Sequence, residues 1–490
     1  MKLKLLFSLL IVTISNAQTQ IGQEITGDNG DSSFGSAVAL SENGNILAIS
    51  SSTYNLSGTP DGLVRVYSRS SGNWTQIGQD IIGPTNRGIG YRVVLSNDGS
   101  VLAVSNYSNF VQVYKNVNNN WVQIGQDIQE YGHSISLSGD GSTIAIGDGL
   151  LNKFNPHPVT IYKNISGNWI RIGTIPGNPN GFGFGVALSE NGDIIAVSIH
   201  NGTQSGMVVV YKNINNTWTD VGNTLALNPI NDGLGFRISI SSDGNTIAVT
   251  SSKTQSAAQN YGSVFVYKNI NNIWTQMGNE IISPVPNERY AQNVALSGSG
   301  NVVVVCSMTN PIAKTGRLDI FEYFQGNWVK KGEIIDQNGS SIWGAIALSR
   351  DGKNLALRNL GNITVNPIPK SAANNIEEQL ITDDLSITNN YEGKGGPGSS
   401  IMVFDIQGIL SSNTFVLENF NIYPNPTTDI LNIELKENLT LEKVLIYNTN
   451  GQLVKETAEK TINVSGFAKG IYNVQVLTNQ GKATKKIIVK

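Results

Sequence analysis

The sequence predicts an all-β protein: a seven-bladed β-propeller closed by its N-terminal strand, followed by a small C-terminal β-sandwich. Three observations support this fold class. The 490 residues include 52 glycines and only 14% charged residues, a composition typical of short strands joined by many turns. One sequence pattern recurs seven times along the chain. The C-terminal residues follow a different pattern. We assign residues 1–17 to a signal peptide, 18–413 to the propeller and 414–490 to the C-terminal domain.

Residues 1–17 have the pattern of a secretory signal peptide. Lys2 and Lys4 precede an apolar core over residues 5–14, and small residues precede a cleavage site after Ala17. We expect the mature chain to begin at Gln18. The apolar core is too short to span a bilayer, and no later segment reaches 18 consecutive apolar residues, so we predict no transmembrane segment.

Charge and cysteine content give little indication of a partner. The chain has 33 Lys and Arg against 36 Asp and Glu, a formal net charge of −3. This charge is too small to indicate a nucleic acid or an anionic membrane as partner. The single cysteine, Cys306, rules out an intramolecular disulfide. It ends an apolar run from Val302, which predicts a small buried side chain.

The central region is an array of repeats. Each repeat contains an aromatic-Gly pair, a Val-Ala-Leu-Ser-like segment, a turn with Asp or Asn before Gly, a Val-x-Val-Tyr segment and Trp-x-x-Ile-Gly. The turn glycines run from Gly44 to Gly352 over six intervals, an average of about 51 residues per repeat. In six repeats the strand-end aromatic lies seven positions before the tryptophan: Tyr67/Trp74, Tyr114/Trp121, Tyr162/Trp169, Tyr211/Trp218, Tyr267/Trp274 and Phe321/Trp328.

Each repeat contains four short segments of alternating apolar residues, which is typical of a β-propeller blade. One such sheet cannot bury both faces alone, whereas stacked neighbours bury a continuous core. The seventh repeat lacks Trp-x-x-Ile-Gly after its third strand, residues 401–404. Near the N-terminus, residues 19–22 read Thr-Gln-Ile-Gly, as do residues 75–78. We therefore predict that residues 20–22 pair with residues 401–404 as the outermost strand of blade seven.

The repeats resemble FG-GAP repeats, which occur in integrin α-chain propellers and in many bacterial surface proteins. The matching pairs are Phe34-Gly35, Tyr131-Gly132 and Phe182-Gly183, with weaker matches at Ile89-Gly90 and Leu234-Gly235. Calcium-binding members of that family place several aspartates between the first two strands.

Here each of these loops carries about one carboxylate, as in residues 97–100 (Asn-Asp-Gly-Ser). Calcium prefers six to eight oxygen ligands, so this loop predicts a tight turn, with Asp or Asn tolerating positive φ. We predict no metal and no cofactor.

The C-terminal segment, residues 418–490, contains a distinct set of motifs: Tyr423-Pro424-Asn425-Pro426, Leu431-Asn432-Ile433, Gly451-Gln452-Leu453-Val454, Gly470-Ile471-Tyr472 and the basic end from Lys485 to Lys490. With these motifs it resembles the type A sorting domain of the type IX secretion system of Bacteroidetes. The resemblance implies passage across the outer membrane and removal of this domain by a sortase. The passenger is then released or attached to surface lipopolysaccharide, so we expect an extracellular or cell-surface location.

A ligand site is expected on the face that carries the connections between strands two and three and between successive blades. These loops vary in length, and variable loops on a rigid scaffold often carry binding sites. The candidates are Tyr54, Arg87, Tyr107, Phe154, His157, His200 and Arg289, although each is also explained as an ordinary solvated loop residue. The repeated tryptophans favour packing between blades over sugar stacking. The insert over residues 362–400 is either functional or disordered.

We predict a non-enzymatic secreted or surface protein of the binding or adhesion class, with a glycan or protein ligand. Glycoside hydrolysis uses two carboxylates about 5–10 Å apart, and no such pair, nucleophile motif or metal-ligand motif is visible in the sequence. Two alternatives remain. The first is a propeller-fold carbohydrate-active enzyme, a glycosidase or lyase. The second is a structural surface-layer protein.

Overall fold

A computed structural model describes most of the chain after residue 18. The described ranges are 19–28, 31, 33–54, 61–84, 88–106, 109–149, 158–177, 181–199, 206–227, 233–251, 254–255, 259–260, 262–283, 289–308, 316–324, 326–336, 345–359, 363–367, 389–391, 399–407, 410, 420–436, 439–448, 453–478 and 481–490. The predicted signal peptide and its cleavage site, Ala17-Gln18, lie outside them. The chain divides into two compact units, residues 1–409 and 410–490. Every regular element in the described ranges is a strand.

The first unit begins with two short strands and continues with three antiparallel sheets. The N-terminal strands are β1 (Thr19–Gln20) and β2 (Ile25–Thr26). Sheet 1 contains β3 (Phe34–Leu40), β4 (Ile46–Ser51), β5 (Leu63–Ser70), β6 (Asn73–Gln76) and β7 (Ile81–Ile82). Sheet 2 contains β8 (Ile89–Leu95), β9 (Val101–Asn106), β10 (Val111–Val117) and β11 (Asn120–Gln123). Sheet 3 contains β12 (Ser134–Leu137), β13 (Thr143–Gly147), β14 (Val159–Ile165) and β15 (Asn168–Ile175).

The next two sheets repeat the same strand order. Sheet 4 contains β16 (Phe182–Leu188), β17 (Ile194–Ile199), β18 (Met207–Ile214), β19 (Thr217–Asp220) and β20 (Leu225–Ala226). Sheet 5 contains β21 (Leu234–Ile240), β22 (Thr246–Ser251), β25 (Ser263–Ile270), β26 (Ile273–Gln276) and β27 (Ile281–Ile282). A separate two-stranded ribbon, β23 (Thr254–Gln255) and β24 (Gln259–Asn260), lies within its second connection.

Sheets 6 and 7 depart from the four-strand pattern. Sheet 6 contains β28 (Arg289–Leu296), β29 (Val302–Met308), β30 (Gly316–Phe324) and β31 (Asn327–Asp336), extended by β34 (Ile363–Pro367) and β35 (Asn389–Tyr391). Parts of the predicted insert thus lengthen sheet 6 rather than sheet 7. Sheet 7 contains β32 (Ile346–Leu348), β33 (Asn354–Asn359) and β36 (Ser400–Asp405), with β1 and β2 both paired to β36.

The N-terminal strands complete sheet 7 in the register expected from the sequence. Gln20 lies opposite Phe404, and the Ile21 amide donates to the Val403 carbonyl at 2.7 Å. A buried cluster joins this sheet to sheet 1, because Ile401 and Val403 pack with buried side chains of β4. The first and last strands of this unit are therefore held in one sheet.

The tight turns between first and second strands are fixed by the repeated serine. In sheet 3 the Ser138 hydroxyl donates to Asp140 Oδ1 at 2.6 Å and accepts the Thr143 amide at 2.9 Å. Asp140 Oδ1 also accepts the Ser142 amide at 2.9 Å. The same arrangement recurs at Ser41, Ser96, Ser189, Ser241 and Ser349. In these turns the Asp or Asn oxygen bonds groups of the turn itself. The predicted positive φ lies at the glycine that follows, such as Gly141 at φ +71°, and not at the Asp or Asn.

A chain of backbone hydrogen bonds links these turns from sheet to sheet. The residue after each repeated serine donates its amide to the carbonyl of the equivalent residue in the next sheet, at 2.7–3.0 Å. The order is Glu42, Asn97, Gly139, Glu190, Ser242, Gly298 and Arg350, and the Asp351 amide then donates to the Glu42 carbonyl. The chain of bonds therefore returns to its starting residue.

The tryptophans lie between neighbouring sheets. The Trp121 indole N–H donates to the Ile77 carbonyl at 3.0 Å, and Gln79 bonds both backbone groups of Trp121. Equivalent indole bonds form at Trp74, Trp169, Trp274 and Trp328. Trp218 differs: its buried indole nitrogen has no partner among the described residues, because β15 of the preceding sheet runs on through Gly173 with a register shift.

The second unit contains seven strands in two antiparallel sheets. One sheet has β37 (Phe420–Tyr423), β38 (Ile430–Leu435) and β41 (Thr461–Asn463). The other has β39 (Leu441–Asn448), β40 (Leu453–Thr457), β42 (Gly470–Thr478) and β43 (Gly481–Val489). Alternate residues of both sheets form one core, which includes Leu431, Val444, Val474 and Ile487. The described residues contain no helix that is long and apolar enough to cross a membrane.

Candidate functional site

The structure describes only part of the predicted ligand face. Tyr54 is half-buried, and its hydroxyl donates to Asp28 Oδ2 at 3.1 Å. Arg289 begins β28, with its backbone opposite Met308. The other predicted site residues, Arg87, Tyr107, Phe154, His157 and His200, lie outside the described residues. The predicted set therefore stays untested as a site.

Tyr54 belongs to a paired polar group rather than to an open site. Arg65 donates to both carboxylate oxygens of Asp28, at 3.0 and 2.9 Å, and to both of Asp80, at 2.9 Å. The hydrogen bonds from Arg65 lower the pKa of both carboxyl groups against the effect of burial. Burial and the bond to Asp28 raise the pKa of Tyr54. Arg65 thus bonds all four carboxylate oxygens of the two aspartates.

Four aromatic side chains form a continuous series at the ends of the first strands away from the tight turns. We call Tyr91, His133, Phe184 and Phe236 the aromatic arc. Successive ring centroids are 5.8, 5.0 and 5.5 Å apart, with planes tilted by 52°, 47° and 36°. The four residues come from sheets 2 to 5, at the position five residues before the repeated serine. All four are partly exposed.

Two arginines stack on the ends of this arc. The Arg92 guanidinium lies 4.2 Å from the Tyr91 ring centroid, and the Arg237 guanidinium lies 4.4 Å from that of Phe236 and 6.0 Å from that of Phe184. Each Nη1 donates to the carbonyl of the preceding residue, at 3.2 and 3.0 Å. Neither arginine has a carboxylate within ion-pair distance among the described residues.

The electrostatics of the arc follow from burial and from these two cations. Burial, with a smaller contribution from the nearby charge of Arg92, lowers the pKa of Arg237 to about 10. Burial also lowers the pKa of His133 to about 4, with smaller contributions from Arg92 and Arg237. The imidazole is therefore neutral at pH 7. Its buried Nδ1 has no hydrogen-bond partner among the described residues.

The opposite ends of the same strands are closed by a different arginine. Arg350 follows the repeated serine of sheet 7, and its Nη1 donates to the Ile240 carbonyl of sheet 5 at 3.4 Å. Burial lowers its pKa, and the charges of Glu190 and Glu42 offset only part of that effect. At this end the arginine has acidic neighbours, whereas no acidic residue of the described ranges offsets the lowered pKa of Arg237.

A third charged group lies inside sheet 6. The Asp319 carboxylate is fully buried and is bonded by Tyr290 at 2.9 Å, by Lys330 at 2.8 Å and by Arg317 at 3.4 Å. Burial raises its pKa, against the effect of the two cations. Lys330 also pairs with Glu333 at 2.5 Å, so the cluster contains two cations and two carboxylates. In the described part of the chain, no group of three or more His, Cys, Asp or Glu is placed to hold a metal ion.

A surface depression of about 480 Å³ lies elsewhere, between sheets 3 and 4. Lys163, Asp193, Asn213 and Asn216 are among the residues that line it, and it contains no aromatic ring. It borders the uniform tight turns rather than the arc. Chemically, the arc is the better equipped surface, because it offers flat apolar faces, free guanidinium N–H groups and a neutral imidazole.

Sequence reasoning missed the arc. Each of its residues follows a glycine of the aromatic-Gly motif, at a position occupied by serine in sheet 1 (Ser36) and by glutamine in sheet 6 (Gln292). The signal was present as four aromatic or imidazole side chains at one repeat position. This variable position lies at the start of the first strand, whereas the site was predicted in the variable loops.

In the second unit the Tyr423-Pro424-Asn425-Pro426 motif holds the C-terminal strand. Asn425 Nδ2 donates to the Lys486 carbonyl at 3.0 Å, and its Oδ1 accepts the Ile488 amide at 2.9 Å. Thr427 bonds the same strand through its backbone. The motif and the basic end of the chain thus form one structural unit, although Asn425 and Lys486 are 61 residues apart in the chain.

Comparison with known proteins identifies this second unit. Residues 421–490 match the family of secretion system C-terminal sorting domains. The match confirms the predicted type IX sorting domain, which interacts with the type IX secretion machinery. The protein is therefore exported to the cell surface or the extracellular space.

The other comparisons are partial. The chain is 28% identical over 125 residues to beta-agarase D of Zobellia galactanivorans, which covers 25% of this chain and 21% of that protein. The chain thus spans about a fifth of the length of this relative. The hydrazine synthase of Kuenenia stuttgartiensis is similar in structure, with a TM-score of 0.49 and 15% identity, over 71% of this chain and 98% of that one.

Proposed function

We propose that this protein is a non-enzymatic binding or adhesion protein of the cell surface or extracellular space. In this proposal sheets 1 to 7 are the blades of a closed propeller built from FG-GAP-like repeats. The hydrogen-bond chain that returns to Glu42 supports closure, and so does the pairing of β1 with β36. The ligand, a glycan or a protein, binds on the face that carries the longer connections.

The observation that carries this proposal is the chemistry of the aromatic arc. Its members are aromatic rings, a neutral imidazole and guanidinium groups, which together bind ligands through stacking and hydrogen bonds. A binding surface needs few polar groups that fix orientation on an otherwise apolar lining. The arc combines both properties on rigid strands of four neighbouring sheets.

Binding can be tested with the exported chain, residues 18–490, on an array of glycans and immobilised surface proteins. We expect retention of at least one ligand class, and weaker retention when Phe184 is replaced by alanine. Phe324, which Lys331 approaches at 5.2 Å in sheet 6, provides a matched aromatic control outside the arc. A ligand whose retention is unchanged by Phe184→Ala but lost with Phe324→Ala would contradict the proposal.

A carbohydrate-active enzyme is the second candidate, and the similarity to beta-agarase D favours it. The two candidates differ in turnover. We expect no release of reducing sugar from agar or other polysaccharides during prolonged incubation with the purified protein. Release that persists after gel filtration and disappears on replacement of a single carboxylate would favour the enzyme.

A further inference from the structure

We propose that Arg92 and Arg237 bind the acidic group of an anionic saccharide, as a uronate or a sulfate ester, while its sugar rings pack on the aromatic arc. This inference rests on the proposed binding function and specifies its ligand class. The unmatched charges of Arg92 and Arg237, the geometry of the four rings and the partial exposure of the arc support it.

The positive charges of Arg92 and Arg237 are the first reason for this assignment. Arg92 and Arg237 lie close enough for each to affect the protonation of the same imidazole, His133. No carboxylate among the described residues pairs with either. Two like charges held together away from bulk water repel each other, whereas buried cations in proteins are normally paired. A bound anion would relieve this repulsion. Because a guanidinium presents a planar fork of donors, it is matched to carboxylate and sulfate-like oxyanions.

The other arginines that stack on aromatic rings have side-chain acceptors. Arg69 stacks on Trp74 at 5.9 Å and donates to Asn45 Oδ1 at 3.1 and 2.6 Å. Arg171 stacks on Tyr162 and is paired with Glu130 at 2.8 Å. Stacking alone therefore does not explain why Arg92 and Arg237 have no side-chain acceptor among the described residues. Their single protein acceptors are the carbonyls of Tyr91 and Phe236, which leaves the other N–H groups for a ligand.

The lining is curved, because the four partly exposed rings are spaced by 5.0–5.8 Å and turn by 36–52° at each step. The exposed parts of aromatic rings attract the partly positive C–H groups of a sugar ring. An acidic peptide shares the anion but not a succession of ring faces.

At the turn end of the first strands, Arg350 of sheet 7 donates to the Ile240 carbonyl of sheet 5. At the arc end the four side chains are partly exposed. We therefore expect a ligand to reach the arc from the end of the strands that carries the longer connections, which is the face assigned to binding above.

The test measures binding by isothermal titration calorimetry with the exported full chain, residues 18–490. The probes are an oligogalacturonate, a sulfated galactan oligosaccharide and a neutral galactan oligosaccharide of matched length. We expect one or both acidic probes to bind, with weaker binding at high salt, and the neutral probe to bind at least tenfold more weakly. The two acidic probes distinguish a uronate from a sulfate ester.

Variants then locate the binding. Arg237→Gln and Arg92→Gln should each weaken binding of the acidic probe by about ten- to a hundredfold, as expected for a lost charged hydrogen bond. Arg237→Lys should restore part of it. Arg171→Gln is the matched control, since it removes a stacked arginine outside the arc, and it should leave affinity unchanged.

A stability readout separates ligand binding from a structural role. Because Arg237 is repelled by Arg92 and desolvated, Arg237→Met should raise the melting temperature of the free protein while it abolishes binding. A lower melting temperature with unchanged binding would overturn the inference, as would an acidic probe that binds equally well to the Arg92→Gln/Arg237→Gln double variant. In the latter case the proposed binding function survives. If an acidic peptide binds and no saccharide does, the ligand class is wrong. If no probe binds at all, the inference and the glycan form of the proposed function both fail.

Discussion

The two ends of the first strands follow opposite rules. At the turn end, the repeated serine, the Asp or Asn and the glycine recur almost unchanged, and their backbone groups bond from sheet to sheet. At the other end, the equivalent position holds serine, tyrosine, histidine, phenylalanine or glutamine. The uniform end performs the same structural task in every sheet, so the same residues serve each time. The diverse end has no residue type in common from sheet to sheet, as expected of the surface that we propose to bind the ligand.

The arginines make the same contrast in charge. Arg350 at the turn end lies in the field of Glu42 and Glu190, while Arg237 at the arc end lies in the field of another arginine. Both guanidinium groups are largely removed from water. At Arg350 the two glutamates offset part of the cost of burial, whereas no acidic residue of the described ranges does so at Arg237.

The largest expected effect tests whether the arc end is rigid despite its diversity. A Cβ on Gly206 would lie 1.7 Å from the Leu234 carbonyl oxygen, where sheet 4 meets sheet 5. Because both groups are backbone, Gly206→Ala should lower the free energy of unfolding by about 3 kcal/mol or more. Chemical denaturation measures this. The control is Gly72→Ala, at φ +85° in open space, which should cost about 1 kcal/mol. Equal costs would show that the sheets are not held closely at the arc end.

The next effect concerns pH and His133. The pKa of this imidazole is about 4 in the folded protein against an ordinary value of 6.5, so the unfolded chain binds the proton more readily. Stability from this group is complete above pH 6.5 and is lost as the pH falls toward 4, by about 2–3 kcal/mol. His133→Phe should remove this part of the pH dependence in denaturation curves. An unchanged slope between pH 6.5 and 4 would show that the imidazole is not desolvated in the arc.

Arg350→Met tests the charge contrast directly. Both arginines are desolvated, and the attraction of Glu42 and Glu190 offsets part of that cost only at Arg350. Arg237→Met should therefore raise the free energy of unfolding more than Arg350→Met does, by about 1 kcal/mol. Thermal and chemical denaturation of the two variants side by side give the comparison. An equal change in both would remove the distinction between the two ends.

The smallest effect tests the uniformity of the turns. Ser138→Ala removes a hydroxyl that accepts the Thr143 amide and donates to Asp140, so it should cost about 1 kcal/mol. The equivalent substitution Ser241→Ala removes the same pair of bonds in sheet 5 and should cost the same within about 0.5 kcal/mol. Unequal costs in denaturation experiments would show that the turns are not equivalent.

The sequence alone determined the repeating elements of this protein. Strand positions, the serine turns, the tryptophan contacts and the pairing of residues 20–22 with β36 follow from local patterns that recur at fixed spacing. The sorting domain is also readable, because its motifs are contiguous. Trp218 shows the limit: its repeat motif predicts the same indole bond as at Trp169, but the register of β15 removes the acceptor.

Only the tertiary structure decided which side chains meet. Tyr91 and Phe236 are far apart in the chain, yet the stacking of sheets places them in one arc with His133 and Phe184 between them. The charge state of His133 and the lack of acidic neighbours for Arg237 depend on that placement. The physical reason is that strand patterns are set by neighbours in sequence, whereas desolvation and electrostatic compensation are set by neighbours in space.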